Sequence, residues 1–459
     1  MIAPEYTPSP HSAFGGIIWP ALPAPEAARL LAVQHQLARS QYWSADKIQR
    51  HQFRQLNRLV AHAYRTVPFY RSRLDAAGYV PERKVTPEFW RSVPILGRRD
   101  IQEAGRALLS TDIPASHGGL VQSATSGSTG MPVTVVKTGL EQFIWRAFTL
   151  REEAWQHRDY RLKLAVIRAF HGKHSQHPAG SRRENWGPPV ATVYPTGPVV
   201  LLDISTGLAQ QAEWLARENP DYLLSNSTNL LFLARYCREA GVSLPRLKSV
   251  RSMGEVVEPE LRSICRKAWG VEVADVYSAD EAGYIALQCP KHEHLHVQSE
   301  AQLIEFLDES GRQAEPGQIG RVVATPLHNF AMPLLRYELG DLAEIGLPCP
   351  CGRGLPVIKR IVGRARDFVT LPSGERRLGW YGWPDIPSIV QHQIVQKTRS
   401  DLEVRLVVRR PLTAPETDTI CQAISRYFGY GFAVAFTYHN DLPRSPGGKF
   451  FVFRSEIAT

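Results

Sequence analysis

The chain has 459 residues, of which 43% are hydrophobic and 21% are charged, a composition typical of a globular protein with two or three domains. Its formal net charge is +10, but the basic residues are spread along the chain. This distribution fits attraction to nucleotides or other acidic small molecules, and equally an arginine-rich surface with no partner, and the sequence shows no nucleic-acid-binding module. The sequence has no run of about eighteen apolar residues that could cross a membrane, and residues 1–16 lack the features of a secretory signal. We therefore expect a cytoplasmic protein with neither a membrane nor nucleic acid as a partner.

The N-terminal part of the chain predicts helices. Residues 1–45 are rich in proline and alanine and predict an irregular segment before the first helix. Residues 46–78 carry apolar residues at helical spacing and predict a helix that is interrupted at Pro68, because proline cannot continue a helix interior. Together these patterns predict a helical lead-in over residues 1–118.

Between about residues 120 and 345, short apolar runs alternate with helical patterns. The predicted strands are residues 162–170, 220–226, 247–254 and 271–278. The predicted helices are residues 208–219 and 228–241. This alternation predicts an α/β domain whose strands lead into loops at one edge of a sheet.

A second unit is predicted to start near Gly363. Residues 401–410 predict a strand, residues 415–431 a helix and residues 432–442 another strand. We therefore predict two domains, a body over residues 1–362 and a small α+β domain over residues 363–459.

The stretch TSGSTGMPV, residues 125–133, is a run of small polar residues ending in an apolar segment. Glycine and serine populate surface turns for local reasons, so a plain turn stays open from this loop alone. The same composition suits a loop whose backbone N–H groups and hydroxyls surround a phosphate. It is not a Walker-type loop, because no Lys-Ser/Thr pair follows its second glycine.

Five further stretches follow this loop. Each has an ordinary structural interpretation when taken alone, because an aspartate after glycine is usually in a turn and a lysine after two glycines is usually solvated. They are SMGE (252–255), DVYSADEAG (275–283), RYELGD (336–341), VGRARDFV (362–369) and DLPRSPGGKF (441–450). In this order and spacing they resemble the adenylate-forming superfamily, and in particular the phenylacetate–CoA ligase family. The resemblance starts near residue 50 and includes HAYRTVPFYRSRLDAAG, CPCGR and GGKFFVFRSE.

The resemblance implies an α/β fold with a large adenylate-forming N-terminal body of mixed sheets and helices and a small mobile α+β C-terminal lid domain. It also implies ATP-dependent activation of a carboxylic acid, with an aryl acid as one option, and transfer to coenzyme A. ATP, Mg²⁺ and coenzyme A would then be the cofactors and substrates. Transfer to a carrier-protein thiol or to an amine, and a nucleotide-binding homologue with weak catalysis, are the alternatives.

The resemblance also implies roles for individual residues. Those implied in nucleotide binding are Ser126, Gly127, Ser128, Thr129 and Gly130 on the β- and γ-phosphates, Gly254, Glu255, Asp275 and Tyr277 at the adenine, Asp280 near the α-phosphate, and Asp341 on the ribose. Lys449 would stabilise charge during attack on the α-phosphorus. Glu281 would ligate Mg²⁺, and Arg364 would contact the nucleotide from the hinge.

Two positions depart from the family pattern. Asp280 stands where the family usually has threonine, and a carboxylate near an α-phosphate repels it unless a cation compensates. Arg366 stands at the pivot, where the family often has aspartate. Both departures bear on the turnover rate, on the metal geometry and on the acceptor substrate.

The cysteines fall into two groups. Cys237, Cys265 and Cys421 occur in helical patterns and are interpreted as small buried hydrophobes. Cys289, Cys349 and Cys351, with a histidine among residues 292–296, can build a closed tetrahedral zinc site, and a disulfide is the alternative. In relatives with the same elements the matching ligands hold zinc, and the resemblance selects Cys289, His296, Cys349 and Cys351.

The sequence does not define the acid substrate. We expect its pocket between residues 252–255, the Tyr277 loop and residues 165–230. Many relatives are dimers, which leaves a homodimer open.

Overall fold

The structure is a computed structural model that describes residues 8–124, 133–170, 175–364, 368–380, 383–384, 386–445 and 447–457. The described α-helices are α1 Pro25–Ser40, α2 Ala45–Thr66, α3 Pro68–Ala76, α4 Pro87–Ser92, α5 Arg98–Ala104, α6 Gly139–Trp155, α7 Val190–Val193, α8 Leu208–Glu218, α9 Ser227–Ala240, α10 Pro259–Trp269 and α11 Ala414–Phe428. No helix in these ranges combines the length and apolar character needed to cross a membrane.

The described strands are β1 Leu120–Ala124, β2 Thr134–Thr138, β3 Leu164–Arg168, β4 Ser181–Arg183, β5 Val199–Asp203, β6 Tyr222–Ser225, β7 Ser249–Met253, β8 Glu272–Ala279, β9 Gly283–Gln288, β10 Leu295–Val297, β11 Gln302–Leu307, β12 Ile319–Pro326, β13 Tyr337–Ile345, β14 Val357–Arg364, β15 Phe368–Thr370, β16 Arg376–Leu378, β17 Ile389–Gln396, β18 Asp401–Val408, β19 Ala433–Tyr438 and β20 Phe453–Ser455.

The helical lead-in follows its sequence pattern with one exception. Helix α2 begins after Ser44, whose side chain accepts a hydrogen bond from the amide of Lys47, and it ends just before Pro68 opens α3. The prediction of an irregular segment over residues 1–45 is wrong, because α1 occupies part of it. Pro25 stands at the start of α1, where its missing N–H has no intrahelical partner to lose.

The chain divides into two units, and the first consists of Met1–Arg161, Asn185–Gly197 and Asp275–Ile361. Its main sheet has the order β11-β12-β13-β14-β10-β9-β8, and its recorded pairs are antiparallel. Helices α2 to α5 pack on a separate apolar core that includes Leu56, Tyr70 and Leu335. A hairpin of β1 and β2, with Ala124 opposite Thr134, belongs to the same unit.

The second unit consists of Leu162–Glu184, Pro198–Ala274 and Val362–Thr459. Its strands β7, β6, β3 and β5 are neighbours in that order and run parallel, with β4 antiparallel at the edge. Strands β5 and β6 are wholly buried, as parallel strands covered by helices usually are, whereas β3 and β7 alternate between buried and partly exposed residues. Helices α8, α9 and α10 supply the covering, so the predicted alternation of strands and helices is present.

The C-terminal part of the second unit has its own sheet, in the order β19-β18-β17-β20. Helix α11 buries Ile420, Ile424 and Phe428 in a core that this sheet shares. The strand, helix and strand predicted from the sequence are β18, α11 and β19. The division into a body up to residue 362 and a lid from residue 363 stays a proposal.

Candidate active site and metal centre

The segment 252–255 lies at the carboxyl edge of the parallel strands of the second unit. Strand β7 ends at Met253, and Gly254 has a φ of +85°, a left-handed conformation that glycine adopts without strain. A Cβ added at Gly254 would lie 3.8 Å from Cε of Lys449. The stem of the lysine therefore packs on this turn, at the sheet edge where α/β folds bind their ligands.

The carboxylate of Glu255 joins helix α9 to the segment that carries Lys449. One oxygen accepts hydrogen bonds from the backbone N–H of Thr228 at 2.8 Å and from its hydroxyl at 2.7 Å. The other oxygen accepts from the backbone N–H of Phe450 at 2.7 Å. The first turn of a helix has unpaired N–H groups and favours a negative charge. Glu255 is thus a contact between segments, and its predicted place at the adenine stays a prediction.

Lys449 lies in a tight turn. The amide of Ser445 donates to the carbonyl of Lys449 at 2.8 Å, and the amide of Lys449 donates to the hydroxyl of Ser445 at 3.1 Å. Gly448 has a φ of +79°, and a Cβ there would lie 3.1 Å from both Ala169 and Ile204. A side chain at position 448 would therefore push the turn away from the ends of β3 and β5.

Arg444 is a residue of this turn that the sequence argument did not identify. Its guanidinium donates to the side-chain oxygen of Asn229 at 3.2 Å and to the carbonyl of Gly448 at 3.2 Å. Burial lowers the pKa of Arg444, while the nearby charges of Glu255 and Asp441 act in the opposite direction. The only sequence signal was an arginine close to the predicted catalytic lysine.

In the first unit, the predicted adenine and ribose residues contact each other. The hydroxyl of Tyr277 in β8 donates to a carboxylate oxygen of Asp341 in β13 at 2.7 Å. Both residues are buried. Asp275 is buried on the same strand as Tyr277, and its amide donates to the side chain of Gln288 at 2.9 Å. A tyrosine ring and an oriented carboxylate are thereby held side by side.

The other predicted nucleotide residues of the described chain lie at the ends of strands. Asp280 is exposed and Glu281 is half-buried in the turn between β8 and β9. Arg364 is the last residue of β14 and is half-buried.

Several predicted residues lie outside the described residues. They are Ser126, Gly127, Ser128, Thr129, Gly130 and Arg366. The hairpin of β1 and β2 pairs on either side of the first five. Their roles stay predictions.

A cluster of cysteines and one histidine forms at one end of the antiparallel sheet of the first unit. Cys289 follows β9, His296 lies in β10, and Cys349 and Cys351 precede β14. Because β10 pairs with both β9 and β14, these segments meet. One potential ligand atom from each of the four residues lies within 4.8 Å of the others.

The separations in the cluster fit tetrahedral zinc. The sulfurs of Cys289 and Cys349 are 3.8 Å apart, and Sγ of Cys351 is 3.4 Å from Nε2 of His296. Ligands around a tetrahedral Zn²⁺ with Zn–S bonds of about 2.3 Å lie about 3.8 Å apart. All three cysteines are free thiols. The converging group contains His296 rather than His292 or His294.

Surrounding groups orient the four potential ligands. Nδ1 of His296 lies 3.4 Å from the carbonyl oxygen of Leu355, which leaves Nε2 for the cluster. Backbone amides of Lys291 and Cys351 donate to Sγ of Cys289 and Cys349 at 3.4 Å each. Burial raises the pKa of Cys349 to about 12 and lowers that of His296 to about 4. A bound divalent cation would instead favour the ionised thiolate of Cys349.

Known proteins are similar to this chain over much of its length. Residues 384–456 match the model of the CapK C-terminal domain. The phenylacetate–coenzyme A ligase of Thermus thermophilus is 26% identical over 442 residues, covering 88% of this chain and 95% of that protein. The enzyme of the same name from Pseudomonas putida is 26% identical over 354 residues, covering 72% of this chain and 73% of that protein.

A solved structure extends the likeness to the fold. The 2-hydroxyisobutyryl-CoA ligase in its postadenylation state superposes with a TM-score of 0.71 at 19% identity, over 91% of this chain and 92% of that chain. The chain therefore has the fold of the adenylate-forming ligases, and the predicted fold class is confirmed. Within that class it is a homologue of the phenylacetate–coenzyme A ligases, and the family resemblance inferred from the sequence is confirmed.

Proposed function

We propose that this chain activates a carboxylic acid with ATP, forming an acyl-adenylate and pyrophosphate, and then transfers the acyl group to coenzyme A. The observation that carries the proposal is the packing of Lys449 on Gly254 at the carboxyl edge of a parallel sheet. The similarity to phenylacetate–coenzyme A ligases over most of the chain supports the same class of reaction. An aryl acid is one option for the substrate.

In the first half-reaction, an oxygen of the substrate carboxylate attacks the α-phosphorus of ATP. An O–P bond forms, the bond to pyrophosphate breaks, and negative charge is redistributed over the phosphate oxygens. The ammonium of Lys449 stabilises that charge from a turn whose backbone is already fixed by Glu255. Tyr277 orients the carboxylate of Asp341, which accepts hydrogen bonds from the ribose hydroxyls.

The remaining nucleotide contacts rest on the family resemblance. We assign Gly254 and Asp275 to the adenine and Arg364 to the nucleotide. We assign binding of the phosphates to Ser126, Gly127, Ser128, Thr129 and Gly130. The carboxylate of Glu281 fits the oxygen ligands that Mg²⁺ prefers, and the ion would neutralise phosphate charge when bound. The exposed Asp280 adds a second carboxylate to that turn.

In the second half-reaction, a thiolate sulfur attacks the acyl carbon, a C–S bond forms, and AMP leaves with the electron pair of the broken C–O bond. The lid would move to admit the thiol, as conformational steps do in many enzymes. Transfer to a carrier protein or an amine, a homodimer and a cytoplasmic location remain predictions.

We also propose that Cys289, His296, Cys349 and Cys351 hold a structural zinc ion. The fit of the sulfur–sulfur and sulfur–nitrogen separations to a tetrahedral site supports this assignment. Four protein ligands leave no open position for a substrate, so the ion would stabilise the fold and take no part in the chemistry.

ATP–pyrophosphate exchange across a panel of aryl and aliphatic acids tests the main proposal. We expect exchange that depends on one class of acid, and AMP release that accelerates when coenzyme A is added. Binding of ATP without exchange for any acid would contradict adenylation. Exchange without a coenzyme A effect would instead support a carrier protein or an amine as the acceptor.

Asp341→Ala should raise the KM for ATP in the exchange assay by about 10- to 100-fold, because charge-assisted hydrogen bonds to the ribose are lost. Tyr277→Phe should raise it by about 2- to 10-fold, because only the hydrogen bond that orients Asp341 disappears. Initial rates at varied ATP measure both effects. An unchanged KM in Asp341→Ala would remove this residue from the ribose site.

A further inference from the structure

A small cavity lies where helix α6 packs against the β8–β9 hairpin and the start of β11. Its volume is about 10 Å³, close to the space that one water-sized group needs. Aromatic residues form much of its wall, including Phe148 and the rings of Trp145 and Tyr284, whose centroids are 4.3 Å apart. Two polar side chains, Glu141 and Gln302, face the same space.

Glu141 is 7% exposed, and Oε1 of its carboxyl lies 3.6 Å from the position of a Cβ added at Gly283. Its amide donates to the hydroxyl of Thr138, which is half of a capping box, but the reciprocal bond from its side chain is not formed. Within the described ranges, no group donates a hydrogen bond to this carboxyl. Burial raises the pKa of Glu141 to about 7, and the charge of Lys137 acts in the opposite direction.

Gln302 presents a second acceptor. Its side-chain nitrogen donates to the carbonyl of Ala282, which fixes the orientation of the amide. The other amide atom, Oε1, is buried and has no hydrogen-bond partner among the residues described here. Buried polar atoms are rarely left unpaired, since the lost hydration is not repaid. Oε1 of Gln302 therefore requires a donor, and so does the ionised form of Glu141.

Gly283 keeps this space open. A Cβ at position 283 would lie 3.6 Å from Oε1 of Glu141, 3.7 Å from the ring of Trp145 and 3.9 Å from Nε2 of Gln302. A side chain there would project among all three of these groups. The φ of +83° at this residue also favours glycine.

The cavity adjoins the residues that we assign to ATP. Gly283 pairs directly with Ala279, and Tyr284 pairs with Ser278. Glu281, the proposed Mg²⁺ ligand, lies in the turn between these strands. The first strand and the turn of this hairpin thus carry the proposed nucleotide residues, and its second strand forms part of the cavity wall.

We propose that this cavity receives a primary ammonium group of the acid substrate, so that the enzyme activates an amino-substituted carboxylic acid. The inference rests on the proposed adenylation. An ammonium carries three donors and a positive charge, and therefore satisfies a carboxylate and an amide oxygen together. A hydroxyl has one donor, and an alkyl group would leave both acceptors unpaired. Aromatic walls also favour a cation.

Matched acids that differ by one amino group test the proposal. We would measure ATP–pyrophosphate exchange with 4-(aminomethyl)benzoate against 4-methylbenzoate, and with 3-aminopropanoate and 5-aminopentanoate against propanoate and pentanoate. For at least one pair, we expect kcat/KM for the amino acid to exceed that for its partner by about 100-fold or more. Preference for the acid without the amine in every pair would overturn the proposal.

Glu141→Gln provides the matched variant, because it keeps the shape and removes the charge. We expect it to abolish most of the preference for the amino acid while kcat/KM for the amine-free partner stays within about threefold. Glu103→Gln, at an exposed glutamate of α5, is the control and should change neither value. An unchanged preference in Glu141→Gln, or an equal loss for both members of a pair, would overturn the proposal. Thermal unfolding of each variant verifies that it is folded.

Calorimetric titration of the same acids in the presence of AMP separates this inference from the proposed function. If no acid supports exchange but an amino acid binds at least tenfold more tightly to wild type than to Glu141→Gln, the cavity proposal stands and adenylation fails. If exchange occurs only with amine-free acids, adenylation stands and the cavity proposal fails. If neither exchange nor binding of any amino acid is seen, both fail.

Discussion

Lys449→Ala should lower acid-dependent ATP–pyrophosphate exchange by about 10²- to 10³-fold, the loss typical of removing one group that stabilises transition-state charge. The variant should have a lower kcat and an unchanged KM for ATP. The ammonium of Lys449 stabilises negative charge that develops only during attack on the α-phosphorus, and not in bound ATP. The same variant should convert a supplied acyl-adenylate and coenzyme A to thioester at close to the wild-type rate. Exchange rates and single-turnover thioester formation measure the two half-reactions separately.

Two contacts of this turn do not use the side chain of Lys449. They join the amide of Phe450 to Glu255 and the guanidinium of Arg444 to Asn229. Truncation to alanine keeps both of these contacts.

Lys397→Ala is the matched control for this variant. It also removes a lysine from the C-terminal part of the chain, but Lys397 pairs at the surface with Glu456 and Glu403. Such pairs contribute little, so exchange should be unchanged. An equal loss of both half-reactions in Lys449→Ala, or a comparable loss in Lys397→Ala, would contradict the assigned role.

The elements that carry a strong local pattern could be predicted from the sequence. The runs predicted as strands at residues 220–226 and 247–254 contain the parallel strands β6 and β7, and the amphipathic pattern of residues 208–219 contains α8. The helix α1 was missed because the prolines that precede it led the whole of residues 1–45 to be interpreted as irregular. The helix itself contains one proline, which stands at its first position, where proline is favoured. Strand β10 has only three residues, which is too short for any periodicity to show.

The sequence predicted which residues belong to the candidate site, but it did not predict the contacts between them. Motif order placed Lys449, Tyr277 and Asp341 among the candidates, but no local signal predicted the hydrogen bond that joins the last two. Glu141 would be interpreted from sequence as half of a capping box, because a Thr138-x-x-Glu141 pattern is typical of one. Only the packing of α6 on the β8–β9 hairpin shows its carboxyl facing a cavity. The Tyr277–Asp341 hydrogen bond and the position of the Glu141 carboxyl both depend on contacts between segments that are distant in the sequence. Only the fold brings those segments together.

The second large expected effect is the loss of zinc from the cluster of Cys289, His296, Cys349 and Cys351. We expect the protein, purified without added metal, to contain about one zinc per chain, and Cys349→Ser to contain less than about a tenth of that. Loss of one thiolate leaves three ligands and a buried polar site that no longer encloses the ion. Elemental analysis by mass spectrometry against protein concentration measures the ratio. Cys421→Ser, on helix α11 and outside the cluster, is the matched control and should keep its zinc.

Loss of the ion should also destabilise the fold, because the ion would tie the segment after β9 to the segment before β14. An ion that binds the folded chain and not the unfolded one adds its binding free energy to the stability of the fold, so its loss lowers the free energy of unfolding. Cys349→Ser and chelator-treated wild type should therefore both unfold at a lower temperature than untreated wild type, whereas Cys421→Ser should not.

The alternative is a disulfide between Cys289 and Cys349, and it predicts the reverse response. In that case wild type would lack zinc, a reductant would lower its unfolding temperature, and a chelator would have no effect. Thiol titration of the denatured protein decides between them, since zinc ligation preserves all three thiols and a disulfide removes two.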